Sequence, residues 1–197
     1  MKQFILLIKK LSLKIWRKNI NSIKSKFANI SFLILDVDGV LTDGSIYIDS
    51  DNKVHKKYSV KDGLGIKMLQ ENGIEIVLIS GGSMSSSDAR AEQLGIKHRF
   101  FNVKDKRKCL IEMQRLLKFD SHNCAYVGDD LNDIPIKSNV SLFISPNDAV
   151  KEVKNKSDLV LSSKGGKGAI REISEIILKS KKQWNIYSNE GFFNKND

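Results

Sequence analysis

Residues 32–44 read FLILDVDGVLTDG, an apolar run that ends in two aspartates and a glycine. A continuous apolar run of this kind is typical of a parallel strand that is buried on both faces. Asp36 and Asp38 lie where the strand ends, and Gly39 permits the sharp turn that follows. Open α/β sheets bind their ligands at the carboxyl ends of their strands. The stretch therefore predicts both a first strand and one wall of an active site.

Apolar strands alternate with amphipathic helices from residue 32 to residue 182. The predicted strands are 32–37, 45–49, 53–59, 75–79, 99–102, 124–127, 140–144 and 159–161. The predicted helices are 62–72 (with Asp62 as its cap), 83–94, 105–117, 131–138, 148–154 and 169–182. Repeated β-α units of this size predict an α/β fold, a doubly wound parallel sheet in a Rossmann-like three-layer αβα arrangement. The pair at 45–59 predicts a small β-hairpin insertion after the first strand, and no insertion is long enough for a large cap domain.

The charge of the chain is concentrated at its beginning. The formal net charge is +10, yet residues 1–30 hold eight of the 33 Lys and Arg and no Asp or Glu. The remaining residues are close to neutral, which disfavours nucleic-acid binding by the body of the protein. We therefore predict a basic amphipathic N-terminal extension at 1–30, a main domain at 31–183 and a polar, loosely ordered C-terminal tail at 184–197.

The N-terminal extension has no apolar run long enough for a spanning helix or a secretory signal. Its apolar residues recur at helical spacing, so we expect a helix that packs on its own domain or on a partner subunit. Contact with an anionic membrane is an alternative that we do not favour. The chain has only two cysteines, Cys109 and Cys124, without metal-binding spacing, which fits a cytoplasmic protein.

The chemistry expected at the first strand depends on its two carboxylates. Two carboxylates one residue apart allow one to attack a substrate while the other transfers protons. A calcium-binding loop is the alternative for Asp-x-Asp-Gly, but it needs oxygen ligands where this chain has Val40 and Tyr47. The calcium interpretation therefore fails.

A second acidic cluster, GDDLND at 128–133, follows the predicted strand 124–127. Asp129, brought beside Asp36 at the same edge of the sheet, would form an oxygen site suited to Mg²⁺. The alternative is a helix start capped by Asp129 or Asp130. The two clusters together favour the metal site.

Two further positions are less specific. Ser80 ends an apolar strand and precedes Gly81 and Gly82, so its hydroxyl and the following N–H groups could bind phosphate. An ordinary glycine-rich turn is the alternative. Lys106 could pair with phosphate and acidic ligands, although most lysines lie on the surface.

The order of these residues resembles the haloacid dehalogenase superfamily. Asp36-x-Asp38 is similar to its first motif, Ser80 to its second, Lys106 to its third and residues 128–133 to its fourth. The resemblance covers about 32–182. The chain is most similar to the capless branch that contains the octulosonate phosphate phosphatases. Four segments carry this similarity: 36–44, 60–63, 89–96 and 165–172. The main domain is thus expected to be a haloacid dehalogenase-like phosphatase domain.

The resemblance implies a role for each motif residue. Asp36 would form an aspartyl-phosphate, and Asp38 would protonate the leaving oxygen and then activate water. Mg²⁺ would be held by Asp36, the Asp38 carbonyl and Asp129. Asp130 and Asp133 would support the metal, and Ser80 and Lys106 would stabilise the phosphoryl group. The predicted substrate-binding residues are Gly39, Thr42, Lys61, Gly81, Gly82, Arg90, Gly165, Gly166 and Arg171.

The resemblance also implies a substrate and an assembly. The first expectation is 3-deoxy-D-manno-octulosonate 8-phosphate, in lipopolysaccharide biosynthesis, and the alternative is a nonulosonate 9-phosphate or another sugar phosphate. Gly82 departs from the pattern, since octulosonate phosphatases usually carry an arginine there that binds the substrate carboxylate. Members of the branch are commonly homotetramers in which the hairpin packs into a central barrel. An alternative of another class is a non-catalytic oligomeric scaffold, although it would be expected to lose Asp36 or Asp38.

Overall fold

The computed structural model describes residues 23–193. Residues 23–29 form helix α1. The strands are β1 Phe32–Leu35, β2 Tyr47–Ile48, β3 Val54–His55, β4 Glu75–Ile79, β5 His98–Phe100, β6 Cys124–Val127, β7 Leu142–Ser145 and β8 Leu159–Val160. The further α-helices are α2 Val60–Glu71, α3 Ser85–Gln93, α4 Lys106–Leu117, α5 Lys151–Lys156, α6 Ala169–Ser180 and α7 Trp184–Glu190. Two 3₁₀ helices lie at Ser121–Asn123 and Leu131–Asn139.

Six strands form one parallel sheet in the order β5-β4-β1-β6-β7-β8. Strand β1 lies in the middle, where Leu33 and Leu35 pack on one face and Ile34 packs on the other. Both faces are covered by helices, which explains why the strand is apolar without alternation. The predicted doubly wound three-layer αβα fold is confirmed.

The strand order reverses at β1, because β4 lies on one side of it and β6 on the other. A crevice opens beyond the carboxyl ends of the strands at such a point, and ligands bind there in open α/β sheets. The loops after β1, β4 and β6 all reach this crevice. In the described part of the chain, the insertion between β1 and α2 is only the antiparallel hairpin of β2 and β3, as predicted.

The start of helix α2 differs from the prediction. Ser59, not Asp62, is the N-cap, and its hydroxyl accepts from the Asp62 N–H at 3.2 Å. The Asp62 carboxylate instead accepts from the N–H groups of Gly168 (3.1 Å) and Arg171 (2.8 Å) at the start of α6. Asp62 was predicted as a cap for its own helix, but it ties α2 to α6.

Two other predicted helices differ for local reasons. The helix predicted at 131–138 is a 3₁₀ helix that contains Pro135, which has no N–H to donate to an α-helical bond. The helix predicted at 148–154 begins only at Lys151, because the Asp148 carboxylate is used by the N–H of Gly165 at 2.9 Å.

The C-terminal tail is more ordered than predicted. Residues Trp184–Glu190 form helix α7, and Trp184 and Tyr187 pack against the core. At the other end, Phe27 and Ile30 are fully buried in the same core. The predicted extension therefore contributes core residues at its end, while its residues 1–22 lie outside the described part. No helix of residues 23–193 is both long and apolar enough to cross a membrane.

Candidate active site

Asp36 follows β1 directly and is buried at the carboxyl edge of the sheet. Its Oδ1 accepts from the Val37 N–H at 2.7 Å, and its Oδ2 lies 2.9 Å from Lys106 Nζ. Burial and, next, the charge of Asp133 raise the pKa of Asp36 to about 7. The carboxyl group is therefore fixed in orientation, and a nearby cation stabilises its ionised form.

Lys106 reaches this carboxylate from the first residue of α4, whose N-cap is Asp105. Its Nζ bridges Asp36 at 2.9 Å and Asp133 Oδ1 at 2.6 Å, and its side chain is buried. Burial lowers the pKa of Lys106, but the two carboxylates outweigh burial and leave it above its ordinary value. The ammonium group is thus held as a cation beside Asp36, where the sequence predicted it.

Asp133 is completely buried, and both of its oxygens accept hydrogen bonds. Oδ1 accepts from Lys106 and from the hydroxyl of Tyr126, both at 2.6 Å. Oδ2 accepts from the N–H groups of Asp129 at 2.8 Å and Asp130 at 3.2 Å. With four donors already present, Asp133 is suited to orient its neighbours, and its predicted support of the metal stays a prediction.

Asp129 completes an acidic cluster after β6. One oxygen from each of Asp36, Asp129 and Asp133 lies within 4.8 Å of the others. Burial and then the charges of Asp36 and Asp133 raise the pKa of Asp129 to about 8. Its buried Oδ1 has no hydrogen-bond partner, which is costly for a carboxylate.

These residues fit a divalent cation. Hard cations such as Mg²⁺ take carboxylate and carbonyl oxygens as ligands. The buried Oδ1 of Asp129 accepts no hydrogen bond, so it is available to coordinate such a cation. Gly39 keeps this space open, since it has φ +80° and a Cβ there would lie 2.0 Å from Asp129 Oδ2. A side chain at residue 39 would therefore displace the acidic cluster.

Asp130 and Ser80 take local roles in this arrangement. The Asp130 side chain is exposed and caps the 3₁₀ helix, accepting from the Leu131 N–H at 2.7 Å. Asp130 is not among the three clustered carboxylates. It caps a helix, which is the alternative that the sequence offered for Asp129 or Asp130. Ser80 is buried at the end of β4, and its Oγ accepts from the Gly82 N–H at 3.1 Å. The Ser80 hydroxyl proton remains available to an anion.

Asp38 stands apart from the acidic cluster and contacts the hairpin. The Nζ of Lys56 lies 2.8 Å from Asp38 Oδ1 and 2.9 Å from Oδ2. Only the contact to Oδ2 has hydrogen-bond geometry, so the buried Oδ1 has no hydrogen-bond partner. The second carboxylate of the first motif is therefore held by a lysine that the sequence analysis did not identify.

Glycines bring the last loop against the first. A Cβ on Gly165 would lie 1.8 Å from the Gly39 carbonyl oxygen, and Gly166, at φ +60°, donates its N–H to the Val40 carbonyl at 3.0 Å. Thr42 is buried below this contact, where its Oγ1 accepts from the Gly39 N–H at 3.3 Å. In this chain these residues shape the first loop through backbone packing.

Three predicted substrate-binding side chains are not brought to the acidic cluster. Lys61 is exposed at the start of α2. Arg90 donates to Gln93 at 2.6 Å and to the Ser59 carbonyl at 3.3 Å. Arg171 pairs with Glu175 at 3.0 Å and stacks over the ring of Trp184. Their roles in substrate binding stay predictions.

Three residues in contact with the site, Lys56, Ser87 and Tyr126, were not predicted from the sequence. Tyr126 lies in the middle of an apolar strand, where a tyrosine is usually a core residue. Its only signal was the acidic loop that follows the same strand. Lys56 and Ser87 had no local signal, because their partners lie 18 and 31 residues away in the chain.

A central parallel sheet with a buried aspartate after its first strand, a buried lysine and a second acidic loop defines a hydrolase of the haloacid dehalogenase class. Residues 47–136 match the model of the haloacid dehalogenase-like hydrolase family. The 3-deoxy-D-manno-octulosonate 8-phosphate phosphatase KdsC of Haemophilus influenzae is 37% identical over 170 residues, which are 86% of this chain and 94% of that protein.

Solved structures agree with this match. The phosphatase of the same name from Moraxella catarrhalis, in complex with magnesium, phosphate and KDO, has a TM-score of 0.83 at 34% identity, covering 85% of this chain and 97% of that chain. The cobalt-bound enzyme of Haemophilus influenzae has a TM-score of 0.80 at 37% identity, covering 83% and 96%. The chain belongs to the haloacid dehalogenase-like hydrolases, in the branch of these phosphatases. The resemblance read from the four motifs is confirmed.

Proposed function

We propose that this chain is a Mg²⁺-dependent phosphatase that hydrolyses a sugar-acid phosphate monoester through an aspartyl-phosphate on Asp36. One observation carries the proposal: Asp36 is a buried carboxylate, fixed by Lys106 and the Val37 N–H, beside an unpartnered oxygen of Asp129. A carboxylate held in this way can attack phosphorus, and the cluster around it can compensate the charge of the phosphate.

The two aspartates of the first motif divide the reaction. A carboxylate oxygen of Asp36 forms a bond to phosphorus while the bond to the sugar oxygen breaks, and Asp38 gives its proton to that oxygen. Asp38 then takes a proton from water, whose oxygen attacks phosphorus and releases Asp36 and inorganic phosphate. Oδ1 of Asp38 lies 2.8 Å from the Lys56 ammonium but accepts no hydrogen bond, and we assign both proton transfers to this oxygen.

The phosphoryl group would lie between the three loops at the edge of the sheet. Lys106 supplies a fixed positive charge, and the Ser80 hydroxyl and the N–H groups of the following glycines supply donors. Asp36, the Asp38 carbonyl and Asp129 would hold Mg²⁺, which supplies charge compensation for the phosphate oxygens. Asp133 holds Lys106 and the Asp129 backbone in place.

The substrate we propose first is 3-deoxy-D-manno-octulosonate 8-phosphate. The support is the identity of 36–38% to phosphatases of that name over most of their length. Gly82 is the observation that favours testing a second substrate, because it provides no side chain to bind a sugar carboxylate. The alternative substrates for the same chemistry are a nonulosonate 9-phosphate or another sugar phosphate.

We also propose that the chain forms a homotetramer through its hairpin. Ile46 and Ile48 have 60% and 66% of their surface exposed, and Tyr47 between them is also exposed. Three consecutive exposed apolar residues on a two-stranded hairpin are unusual in a monomer, because such a hairpin is marginally stable without further packing. Their burial between subunits would remove this surface from water.

We place the protein in the cytoplasm. Cys109 and Cys124 are both free thiols, and Cys124 is fully buried among core residues. Unpaired cysteines in a core are usual in reducing compartments. Whether residues 1–22 pack on the tetramer stays a prediction.

The test is phosphate release from a panel of esters, measured with Mg²⁺ and with EDTA. The panel contains 3-deoxy-D-manno-octulosonate 8-phosphate, nonulosonate 9-phosphates and common hexose phosphates. We expect Mg²⁺-dependent turnover that is fastest on the octulosonate ester. Fastest turnover on a nonulosonate would select the alternative substrate, and no turnover of any ester by folded, Mg²⁺-loaded protein would favour the scaffold.

A further inference from the structure

Lys56 is a buried cation in an exposed part of the chain. It follows β3 in the hairpin, and its side chain is only 3% exposed, whereas Lys53 and Lys57 on either side are exposed. Removing an ammonium group from water is expensive unless its contacts compensate. The contacts of Lys56 therefore indicate why it is buried.

The ammonium group of Lys56 is held from two directions. On one side it contacts both oxygens of Asp38, at 2.8 and 2.9 Å. On the other side it donates to the Ser87 hydroxyl of α3 at 3.3 Å. Ser87 is itself buried and accepts from the Tyr58 hydroxyl at 3.1 Å. Two of the three N–H donors of the lysine make hydrogen bonds here, and these bonds join the hairpin, helix α3 and the first motif.

Gly82 packs directly against the Asp38–Lys56 pair. A Cβ at Gly82 would lie 2.9 Å from Asp38 Oδ2 and 3.5 Å from Lys56 Nζ. A side chain there would push on the Asp38 carboxylate, while its distance to Lys56 would be an ordinary contact. The chain thus places a positive charge beside Asp38 from the hairpin, with no side chain from the loop after β4.

We propose that Lys56 is a positioning residue that fixes the Asp38 carboxyl group for both proton transfers of the reaction, an inference that rests on the proposed phosphatase function. Lys56 donates a hydrogen bond to Oδ2, whereas its contact with Oδ1 at 2.8 Å lacks hydrogen-bond geometry. Oδ1 gives its proton to the sugar oxygen as the first P–O bond breaks, and it takes a proton from the water that forms the next P–O bond. Lys56 gains and loses no proton in either step.

The test compares Lys56→Met with wild-type enzyme on two esters. Methionine keeps an unbranched apolar chain but removes the donors and the charge. With 3-deoxy-D-manno-octulosonate 8-phosphate, whose leaving oxygen needs a proton, we expect kcat to fall on the order of 10²-fold, the scale of a misplaced catalytic group, with a smaller change in KM. Lys56→Arg, which can still reach a carboxylate, should recover part of the loss.

The second ester separates positioning from a general defect. This ester is p-nitrophenyl phosphate, whose leaving group, p-nitrophenolate, needs no proton. Its release in the first turnover should therefore keep the wild-type rate in Lys56→Met. Later turnovers should slow, because the attacking water still needs Asp38 as a base. Lys57→Met is the matched control, since Lys57 is adjacent and exposed, and it should behave as wild type on both esters.

Several outcomes would overturn the inference. Wild-type kcat in Lys56→Met would do so, and so would a rise in KM with unchanged kcat, which would assign Lys56 to substrate binding. Equal slowing of the first turnover on both esters would indicate general damage. If Lys56→Met does not fold, Ser87→Ala removes the anchor without the charge, and it should show a smaller loss in the same steps. Wild-type enzyme inactive on both esters would instead overturn the proposed function, and the inference with it.

Discussion

Asp36 and Asp38 are separated by one residue, yet the structure holds them in different ways. The side chain of Asp36 is 7% exposed and is fixed by groups that the sheet and α4 provide. The side chain of Asp38 is 35% exposed and is fixed by the hairpin and α3 through Lys56. The sheet half of the site therefore holds the proposed nucleophile and the side chains proposed to bind the metal, and the hairpin half holds the proposed proton donor.

This difference has a functional meaning. The reaction at phosphorus is the same for every phosphate ester, so its residues belong to the rigid core of the fold. The leaving group differs between substrates, so its side of the site is formed by an insertion that is mostly exposed. A change in the sheet half should therefore affect all esters alike, whereas a change in the hairpin half should depend on the leaving group.

The largest expected effect is that of Asp36→Asn. Because an amide cannot attack phosphorus as a carboxylate does, we expect kcat to fall by roughly 10³-fold or more on every ester, including p-nitrophenyl phosphate. Steady-state phosphate release measures this loss. Asp51→Asn, an exposed hairpin residue, serves as the control and should retain wild-type activity. A loss at Asp36 that depended on the leaving group would break the proposed division of the site.

Asp129→Asn should abolish Mg²⁺ binding and stabilise the metal-free protein. The folded pKa of Asp129 is about 8, above its unfolded value, so the folded state binds more protons between these values and loses stability as pH rises through this range. Replacing the carboxylate by a neutral amide removes that penalty. In EDTA at about pH 8, we expect a Tm above that of wild type, by roughly 2–4 °C for each kcal/mol gained.

Melting curves of wild-type protein and Asp129→Asn in the presence of Mg²⁺ test the metal-binding part of this prediction. Wild-type protein should be stabilised by Mg²⁺, and more strongly near pH 8 than near pH 6. Asp129→Asn should show no such shift at either pH. A Mg²⁺ shift that is equal in both proteins would place the metal elsewhere.

Gly82→Arg tests the hairpin half with an intermediate effect. The new Cβ would lie 2.9 Å from Asp38 Oδ2, so the Asp38 carboxylate must move away from its position beside Lys56. We expect kcat on sugar phosphates to fall roughly 10-fold or more, while Mg²⁺ stabilisation and the first turnover of p-nitrophenyl phosphate stay unchanged. Gly81→Ala, whose Cβ would be no closer than 3.6 Å to its neighbours, is the control. Loss of the Mg²⁺ shift in Gly82→Arg would contradict the separation of the two halves.

The smallest effects should appear in a pair of hydroxyl deletions. Tyr126→Phe removes a donor from the completely buried Asp133, whereas Tyr58→Phe removes a donor from Ser87 at a partly exposed site. We expect the free energy of unfolding to fall by about 1–3 kcal/mol for Tyr126→Phe and by about 0.5–1 kcal/mol for Tyr58→Phe. Urea unfolding measures both. A larger loss for Tyr58→Phe would reverse the proposed order of rigidity.

The fold and the sheet half were predictable from sequence. Parallel strands all end at the same edge, so the positions of Asp36, Asp129 and Ser80 after apolar runs were enough to predict that they converge. Lys106 was predicted by its order in the motifs, and the structure places its Nζ 2.9 Å from Asp36. The roles assigned to these residues in the reaction remain predictions.

The hairpin half was not predictable, because its contacts depend on tertiary packing between distant segments. Lys56 meets Asp38 and Ser87 only after the hairpin folds over α3. The contacts of Arg90 and Arg171 could not be predicted from sequence either. In the folded chain Arg90 donates to the Ser59 carbonyl and Arg171 to Glu175, instead of pointing to the acidic cluster. Asp62 shows the same limit, since its partners lie more than 100 residues away.

Phosphorylation of Asp36 can be observed directly by trapping the aspartyl-phosphate. Asp38→Asn enzyme, given p-nitrophenyl phosphate and Mg²⁺, should form the aspartyl-phosphate but hydrolyse it slowly, because no base activates the water. After acid quenching and proteolysis, mass spectrometry should find the mass of one phosphoryl group on the peptide that contains Asp36, and on no other peptide. A first turnover of p-nitrophenolate with no phosphorylated peptide, or with the phosphoryl group on another residue, would contradict the account.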